Sequence, residues 1–378
     1  MPAPATPSSP TSSVVASRLT WCPTGAQWFA AIVQAVELAR SSVDAEFYIW
    51  SPGRLASRLG AALVAAASRG CRVRLLLDAY GSERAAPEIE CLRQAGVDVA
   101  WFNPRRLLRL SFRNHRKLVV VDRELAFLGG CNVADEYDSD GLDGGWRDLG
   151  IRVDEPTSAA ALAQSFERMW SIAPFDHLPT AGIMPQASRG QDWEVFLAGA
   201  GRGGRRYRRQ LHRDLGRARR IDVLAAYFVP TTRLRKLLIR VARRGLVRVI
   251  VPASGDVPIA QHATNYVLDE LSSTPILAYE YTPGMLHAKL VIADDVVYVG
   301  SANFDPRSLR INFDVVIRIE NADSAAQARA IVDQIQAHSR PCHGGRRGIF
   351  AKIFRMVAYV LVAWLDPLIA RRKLRLLS

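Results

Sequence analysis

A short pattern of polar residues occurs twice in this chain of 378 residues, and the two copies lie far apart. Each copy has a histidine, a lysine two positions later and an aspartate five positions after the lysine: His115, Lys117 and Asp122 in the first, His287, Lys289 and Asp294 in the second. A glycine-containing segment follows each copy and ends at Asn132 and Asn303. A repeat of this size is too long for a solenoid, so the chain is predicted to fold as two similar halves.

The sequence around the two motifs repeats as well, because Val-, Ile- and Leu-rich runs alternate with helical periodicity in both halves. Such alternation predicts buried sheets flanked by helices, and hence an α/β fold with two pseudo-symmetric lobes. The predicted helices cover 27–40, 55–69, 88–95 and 157–170 in the first half, and 207–218, 233–244, 261–271 and 322–338 in the second. The predicted strands cover 43–50, 72–78, 97–102 and 148–153 in the first half, and 221–229, 247–252, 275–281 and 314–319 in the second. Before the last of these, each half is predicted to have a strand with the His-x-Lys motif and a return strand that ends in glycine.

Composition marks the boundaries of these lobes. Residues 1–20 begin with a Pro-, Ser- and Ala-rich stretch and are predicted to be a disordered tail, not a signal peptide. The lobes are expected over 21–173 and 207–340, joined by a Gly-, Pro- and Arg-rich linker over 174–206. The arginine-rich end of this linker fits two interpretations, a solvated connection or a lip that binds phosphate. Residues 341–378 form a separate basic and apolar segment.

Charge and cysteine content restrict the partners and the compartment. The formal net charge is +14, which favours polyanionic partners such as nucleic acid or an anionic bilayer. The five cysteines are odd in number and have no Cys-x-x-Cys spacing. That pattern argues against a disulfide framework and a zinc site, and it favours a reducing compartment.

The residue types in the repeated motif suit phosphodiester chemistry. Alternate residues of a strand share a face, so each histidine is expected to point the same way as its lysine. A neutral imidazole can attack phosphorus, and an imidazolium can protonate the leaving alkoxide. Lys117, Lys289, Asn132 and Asn303 would stabilise charge on the phosphoryl oxygens. Two copies in one cleft therefore predict transfer through a covalent histidine intermediate, with no metal or other cofactor.

A catalytic imidazole also needs a partner that fixes its tautomer and orientation. Asp148 and Asp314, at the start of the late strands, are the candidates for this role. Asp122 and Asp294 complete the set of candidate catalytic residues by their place in the motifs. Their position at strand ends, however, predicts that they hold the fold together.

The two motifs resemble the signature of the phospholipase D superfamily, His-x-Lys-x4-Asp followed by Gly-[Gly/Ser]-x-Asn. Within that superfamily, four stretches are similar to bacterial cardiolipin synthases: 112–117, 130–137, 285–289 and 303–310. The resemblance extends over most of the chain, from about residue 21 to residue 338. It implies two phospholipase D-like α/β/α lobes with mixed β-sheets and the active site between them. It also implies metal-independent, two-step transfer of a phosphatidyl group through phosphohistidine.

Within the similar stretches, four residues are candidates for substrate binding: Arg113, Ser301, Arg307 and Ser308. The chain departs from the family pattern in a turn before Gly300 that is one residue shorter than its counterpart before Gly129, which could shift the asparagine that follows. The acid of the late strand is Asp in both halves, where Glu is frequent in the second. The N-terminal membrane helices of some cardiolipin synthases are missing, so the chain resembles the shorter, peripheral kind.

Two segments are candidates for membrane contact. Residues 356–365 are ten consecutive apolar residues with basic residues on both sides. A bilayer span needs about 20, so the segment favours an interfacial anchor on anionic lipid, with a core helix packed on the protein as the alternative. A loop that contains Arg105, Arg106 and Arg109 among leucines fits either a lipid-contacting loop or an ordinary surface loop.

Together these features predict a phosphatidyltransferase that makes cardiolipin from phosphatidylglycerol and a second phospholipid hydroxyl. His115 is assigned as nucleophile and His287 as acid and then base, with the reverse assignment left open. The alternatives are a hydrolase of lipid or nucleic-acid phosphodiesters and a non-enzymatic membrane-binding scaffold. Nucleic acid is disfavoured because no array of stacking aromatic residues accompanies the basic charge. The expected location is the cytoplasmic face of a bacterial membrane, as a peripheral protein, and the oligomeric state is left open.

Overall fold

The computed structural model describes residues 19–103, 112–173, 188–190, 192–198, 202–342 and 349–365. In these ranges the chain forms two α/β lobes, built on mixed sheets of seven and nine strands. The predicted fold class of two pseudo-symmetric lobes is therefore confirmed. The predictions for the N-terminal tail up to residue 18, for the loop with Arg105, Arg106 and Arg109, and for 174–187 fall outside the described residues.

The first lobe follows the predicted alternation of helices and strands. Its elements are β1 (Leu19–Cys22), α1 (Gly25–Glu37), β2 (Ser42–Phe47), α2 (Arg54–Ser68), β3 (Arg72–Asp78), α3 (Ala86–Gln94), β4 (Asp98–Phe102), β5 (Leu118–Val121), β6 (Leu125–Gly129), β7 (Gly150–Val153) and α4 (Pro156–Ile172). The sheet has the order β1-β7-β6-β5-β2-β3-β4, with β2, β3 and β4 parallel and the other neighbours antiparallel. Strand β5 is buried along its whole length, as its unbroken apolar sequence requires in a covered sheet.

The second lobe repeats this order. Its elements are β8 (Ser188–Arg189), β9 (Trp193–Ala198), α5 (Arg202–Arg217), β10 (Arg220–Ala225), α6 (Thr232–Ala242), β11 (Leu246–Pro252), α7 (Pro258–Leu271), β12 (Leu277–Tyr281), β13 (Lys289–Ala293), β14 (Val296–Gly300), α8 (Pro306–Arg310), β15 (Asp314–Glu320), α9 (Ala322–Ala337) and β16 (Ser339–Pro341). The sheet has the order β8-β9-β15-β14-β13-β10-β11-β12-β16. Its seven inner strands, in the sheet order β9-β15-β14-β13-β10-β11-β12, correspond one by one to the seven strands of the first sheet.

Part of the segment predicted as a linker, 174–206, belongs to the second lobe, so that boundary is corrected. Strand β9 pairs with β15 from Trp193 to Ala198, at the place that β1 occupies beside β7 in the first sheet. All six residues of β9 are buried. Helix α5 also starts inside the predicted linker, five residues before the helix expected at 207–218.

One apolar layer is common to both lobes and fixes their relative position. It contains residues of α4 and β5 from the first lobe and of α9 and β13 from the second. The rings of Phe102 and Phe313 meet edge to face across the lobes, with centroids 5.6 Å apart. The hydroxyl of Tyr281 donates to the carbonyl of Gly141 at 2.7 Å. Burial of each large apolar side chain in this layer stabilises the contact by about 1.5–3 kcal/mol.

Asp122 and Asp294 occupy equivalent turns at the ends of β5 and β13. Both have a positive φ, 52° and 49°, a conformation that aspartate tolerates better than most residues. The Asp122 carboxylate accepts the backbone N–H groups of Arg40, Ser41 and Ser42 at the start of β2. Asp294 accepts those of two residues at the start of β10 in the same way. These contacts tie each motif strand to its neighbour.

The last described helix, α10 (Ile349–Val360), continues as a single π-helical turn over Leu361–Leu365. Arg355 on its inner face is buried and forms a salt bridge of 2.5 Å with Asp269 of α7. The rings of Tyr359 and Tyr266 lie 4.9 Å apart in the same contact. Its outer face is apolar and exposed. The inner face thus fits a helix packed on the protein, and the exposed outer face fits an interfacial anchor. None of the described helices has the length and apolarity that crossing a bilayer requires.

Replacing Asp122 by alanine should lower the free energy of unfolding by about 2 kcal/mol, because several backbone donors lose their acceptor. Burial acts to raise the pKa of Asp122, but hydrogen bonds from Ser42, Arg40 and Ser41 outweigh it and lower that pKa. The stabilisation is therefore present at neutral pH and is lost as the pH falls through the lowered folded pKa. Urea unfolding at pH 7 and in acid measures both effects. Equal stability of Asp122→Ala and the wild type at pH 7 would contradict this role.

Candidate active site

Backbone hydrogen bonds between the lobes bring the two motifs together. The N–H of His115 donates to the carbonyl of Phe313, and the N–H of Phe313 donates to the carbonyl of Arg113, both at 2.9 Å. In the equivalent bonds, the N–H of His287 donates to the carbonyl of Arg147, and the N–H of Arg147 donates to the carbonyl of Met285, both at 2.8 Å. Each histidine segment is thus bonded to the residue that precedes the late-strand acid of the opposite lobe.

The two late-strand acids consequently pair across the lobes. The Nδ1 atom of His115 lies 2.9 Å from Oδ1 of Asp314, and Nδ1 of His287 lies 2.7 Å from Oδ2 of Asp148. All four side chains are buried. A carboxylate on Nδ1 holds the proton there and leaves the Nε2 lone pair of the neutral ring available. Neither half has a complete histidine–acid pair of its own.

Both histidines and Lys117 lie just before the strands, and Lys289 is the first residue of its strand. Strand β5 begins at Leu118, after the first pair, and β13 begins at Lys289 itself. The ammonium group of Lys117 donates to the carbonyl of His115 at 2.7 Å. That of Lys289 donates to the carbonyl of His287 and lies 2.8 Å and 3.0 Å from the two ring nitrogens. The expectation that each lysine lies beside its histidine agrees with these contacts, although regular strand alternation does not produce them.

The two asparagines have different surroundings. The side-chain N–H of Asn132 donates to the hydroxyl of Tyr137 at 2.9 Å, and its oxygen accepts the N–H of Ile49 at 3.2 Å. The Tyr137 hydroxyl in turn lies 3.4 Å from Nε2 of His287. Asn303 is also buried, but its side-chain oxygen has no hydrogen-bond partner among the described residues.

Burial dominates the ionisation of the site. It lowers the pKa of His115 to about 4, with Lys117 adding to the effect and Asp314 opposing it. It lowers the pKa of His287 well below its usual value, where Lys289 and Lys117 add to the effect. The pKa values of both lysines are also lowered, first by burial. Burial therefore favours the neutral form of both imidazoles at pH 7.

The two acids accept different hydrogen bonds. Oδ1 of Asp148 accepts the backbone N–H of Leu149 at 2.8 Å. The hydroxyl of Ser301 donates to Asp314 at 2.7 Å and itself accepts the N–H of Val315 at 3.1 Å. Gly130 occupies the equivalent position in the first lobe, where an added Cβ would lie 2.4 Å from Oδ1 of Asp148. No hydroxyl can therefore reach Asp148 from that position. Burial raises the pKa of Asp148 to about 7, although Lys289 and other groups oppose the rise.

The candidate substrate-binding residues are distributed unevenly. Ser301 contacts a catalytic candidate directly, as described above. The guanidinium of Arg113 lies 4.4 Å from the ring centroid of Tyr80 and 3.8 Å from Asp78. Ser308 is buried within α8 and donates its backbone N–H to the capping carboxylate of Asp305 at 2.8 Å. Its hydroxyl has no hydrogen-bond partner among the described residues. Arg307 is half-buried on the same short helix.

The effects on Tyr48 place both arginines near the first histidine. Burial and the charge of Asp78 raise the pKa of Tyr48 to about 12, while the positive charges of Arg113 and Arg307 oppose that rise. The ring of Tyr48 lies 5.1 Å from that of His115. Both arginines therefore act on the His115 side of the site, where the carboxylate of Asp78 lies 3.8 Å from Arg113.

Aromatic residues line the site, and their role is absent from the sequence predictions. Besides Tyr48, the rings of Tyr137 and Trp146 lie 5.1 Å and 5.3 Å from the ring of His287. Tyr48 has a counterpart in the repeat, Tyr227, and that correspondence was the available signal. The hydroxyl of Tyr227 donates to Asp256 at 2.6 Å. Tyr137 and Trp146 come from the segment between β6 and β7. Tyr137 ends the stretch 130–137 that resembles cardiolipin synthases, whereas nothing in the sequence analysis indicates Trp146.

Two of the sequence candidates are not part of this cluster. Asp122 and Asp294 lie at the far ends of β5 and β13 and accept backbone N–H groups, as described above. Over the described ranges, no group of three His, Cys, Asp or Glu side chains is arranged to hold a metal ion.

Comparison with known proteins extends over both lobes. The family model described as "Cardiolipin synthase, PLD-like domain" matches residues 32–170 and 211–336. The chain is 32% identical over 333 residues to cardiolipin synthase A of Yersinia pseudotuberculosis serotype O:1b (strain IP 31758), covering 84% of this chain and 68% of that protein. Cardiolipin synthase A of Yersinia pestis bv. Antiqua (strain Angola) matches with the same identity and coverage.

Solved structures share the fold at low sequence identity. The phosphatidylserine synthase of Haemophilus influenzae Rd KW20 matches with a TM-score of 0.73 and 12% identity over 95% of each chain. The polyphosphate kinase of Porphyromonas gingivalis matches with a TM-score of 0.55 and 14% identity, over 90% of this chain and 54% of that one. The fold, the paired motifs and the family match agree: the chain belongs to the cardiolipin synthase family of phospholipase D-like phosphatidyltransferases.

Proposed function

We propose that this protein transfers the phosphatidyl group of phosphatidylglycerol to a hydroxyl of a second phospholipid and so makes cardiolipin. The observation that carries the proposal is the pair of buried histidine–acid contacts formed between the lobes. They supply two imidazoles of fixed tautomer in one site, which a two-step displacement at phosphorus requires. The resemblance to cardiolipin synthases supports the choice of substrates.

In the first step, Nε2 of His115 attacks the phosphorus of the donor lipid. A P–N bond forms, and the P–O bond to the glycerol headgroup breaks. The glycerol oxygen takes a proton from the pair of His287 and Asp148, and neutral glycerol leaves. Lys117 and Lys289 face the phosphoryl oxygens, and a bound phosphodiester anion would offset the cost of their buried charge.

In the second step, the acceptor hydroxyl replaces glycerol. His287 removes the proton from this hydroxyl, and the oxygen attacks phosphorus. The P–N bond to His115 then breaks, which restores the free imidazole and completes the diester. His287 acts as acid in the first step and as base in the second, because the acceptor oxygen enters by the reverse of the path by which the glycerol oxygen leaves.

The difference between the two acids supports the assignment of His115 as nucleophile and His287 as acid and then base. A proton with a pKa of about 7 on Asp148 lies next to the ring of His287, so this pair holds a transferable proton near neutral pH. The pKa of His115 is lowered to about 4 by burial and by Lys117, so its ring is a neutral nucleophile. Asp314, the partner of that ring, has the Ser301 hydroxyl as an additional donor.

The substrate contacts follow from the charge distribution. Arg113 and Arg307 lie on the His115 side and would hold the anionic phosphatidyl portion. Asp256 lies on the other side, where its charge acts on His287, and would accept hydrogen bonds from the hydroxyls of the departing glycerol. The protein would work as a peripheral protein on the cytoplasmic face of the membrane, with the exposed apolar face of α10 towards the lipid.

Purified protein given labelled phosphatidylglycerol in detergent should release glycerol and form cardiolipin. His115→Ala and His287→Ala should each lower turnover by about 10²–10⁴-fold, because each removes a separate chemical role. His338→Ala is the matched control, since His338 is exposed at the end of α9, and it should retain wild-type turnover. Phosphatidic acid as the only lipid product would identify a hydrolase instead. Substantial turnover in either site variant would exclude a single shared site.

The pH dependence of kcat/KM should be bell-shaped. Activity should rise through about pH 4 as His115 loses its proton, and fall through about pH 7 as the pair of Asp148 and His287 loses its own. A donor lipid with 4-nitrophenol as leaving group needs no protonation, so its nitrophenol release should not fall above neutral pH. Stopped-flow absorbance at each pH measures that release.

The same donor distinguishes the two histidines. His287→Ala should still release about one equivalent of nitrophenol per enzyme, since the nucleophile remains, and His115→Ala should release none. A single turnover by His115→Ala and none by His287→Ala would reverse the assignment.

A further inference from the structure

A cavity lies outside the active site, between α5, α6, α8 and α10. Its volume is about 710 Å³. The lining residues that matter here are basic and lie mainly on the first two of these helices: Arg205, Arg208, Arg209, His212, Arg213 and Arg233. None of the candidate catalytic residues lines it. The arginine-rich sequence that fitted either a linker or a phosphate-binding lip is thus placed on the wall of a cavity.

Three of the lining arginines have no acidic partner among the described residues. No Asp or Glu lines it among the described residues. Arg205, Arg209 and Arg233 are exposed and form no salt bridge with any residue that the structure describes. The pKa of His212 is lowered by burial and, beyond that, by the positive charges of Arg233 and Arg208. The cavity therefore offers a positive potential to an anion from solvent.

The wall that α10 provides is apolar and continues onto an exposed face. Tyr359, Ala363 and Trp364 line the cavity, and Trp364 is 56% exposed. Seven of the eight exposed large apolar side chains of α10 and its π-helical turn follow helical spacing on one face, and Met356 is the eighth. The seven are Phe350, Ile353, Phe354, Val357, Val360, Leu361 and Trp364. Arg355 fixes the inner face on α7. On the outer face, the ring of Phe354 meets that of His262 of α7 edge to face, with centroids 4.8 Å apart, and Phe354 is still 58% exposed. Phe350 is 85% exposed.

We propose that this cavity binds the phosphate headgroup of an anionic phospholipid while the outer face of α10 enters the surface of the same bilayer. An interfacial helix with basic residues beside its apolar face is the arrangement that binds anionic membranes. A soluble phosphate compound would use the arginines but would leave the apolar face exposed to water. The site is separate from the catalytic site and does not depend on the proposed reaction.

Vesicle co-sedimentation of the full-length protein tests the proposal. The vesicles contain phosphatidylcholine, alone or with phosphatidic acid, a phosphomonoester that has no alcohol group to lose and so is no donor. Combined replacement of Arg205, Arg209 and Arg233 by glutamine should weaken binding to the anionic vesicles by about tenfold or more, because each nearby basic residue contributes to attraction. Turnover of detergent-dispersed phosphatidylglycerol should stay within about twofold of the wild type, which shows that the variant is folded.

A matched variant separates this site from general charge. Replacing Arg40, Arg84 and Arg219 by glutamine removes the same charge from exposed positions elsewhere and should change binding by less than about twofold. Phe350→Ser with Phe354→Ser should weaken binding even at high salt, because the apolar contribution is not screened. Equal losses in the two arginine variants, or wild-type binding by the cavity variant, would overturn the proposal. So would loss of binding to a single-stranded oligonucleotide with vesicle binding unchanged, which would identify nucleic acid as the occupant.

Discussion

Four backbone hydrogen bonds between the lobes determine the chemistry of this protein. They join the segment of each histidine to the residue before the acid of the opposite lobe, at 2.8–2.9 Å. Because of this register, His115 lies against Asp314 and His287 against Asp148. The shared apolar layer of α4 and α9 holds the lobes in that relation. A shift of one lobe by a single residue would separate both pairs, so the fold and the site depend on the same contact.

Burial then gives two similar histidines different properties. Desolvation lowers the pKa of both imidazoles and both lysines, which leaves a site that an anionic phosphodiester would stabilise. The symmetry is broken by small residues. Ser301 donates a hydrogen bond to Asp314, whereas Gly130 has no side chain to offer Asp148, and burial raises the pKa of Asp148 to about 7. The assignment of nucleophile and acid rests on that difference.

Much of the fold follows from sequence periodicity, because the sheets are buried and their strands are continuous apolar runs. Strand β3 has the predicted bounds, and the motif acids Asp122 and Asp294 hold turns, as their strand-end positions indicate. Strand β9 is absent from the prediction because only six residues, Trp193–Ala198, separate segments rich in Gly, Pro and Arg. Its pairing with β15 is a long-range contact that local composition does not encode.

The site was predictable in its residue types but not in its pairing. Asp148 and Asp314 stand at the start of equivalent strands, and periodicity alone gives no reason to pair either with the histidine of the other lobe. Tyr137 and Trp146 pack against His287 from a segment without helical or strand pattern, so periodicity does not indicate their contact with that ring. Which face of α10 is buried and which is exposed likewise depends on the residues that contact α7. Composition does not determine those contacts.

Nuclear magnetic resonance of the histidine side chains tests the exchange of acids between lobes most directly. In protein labelled with ¹⁵N-histidine, the ring nitrogens report the hydrogen bond at Nδ1 without any need for turnover. Asp148→Asn should change the ring signals of His287 and leave those of His115 nearly unchanged, and Asp314→Asn should do the opposite. Signals assigned through His115→Gln and His287→Gln make the comparison unambiguous. If each substitution instead perturbs the histidine of its own lobe, the account of a site completed between the lobes is contradicted.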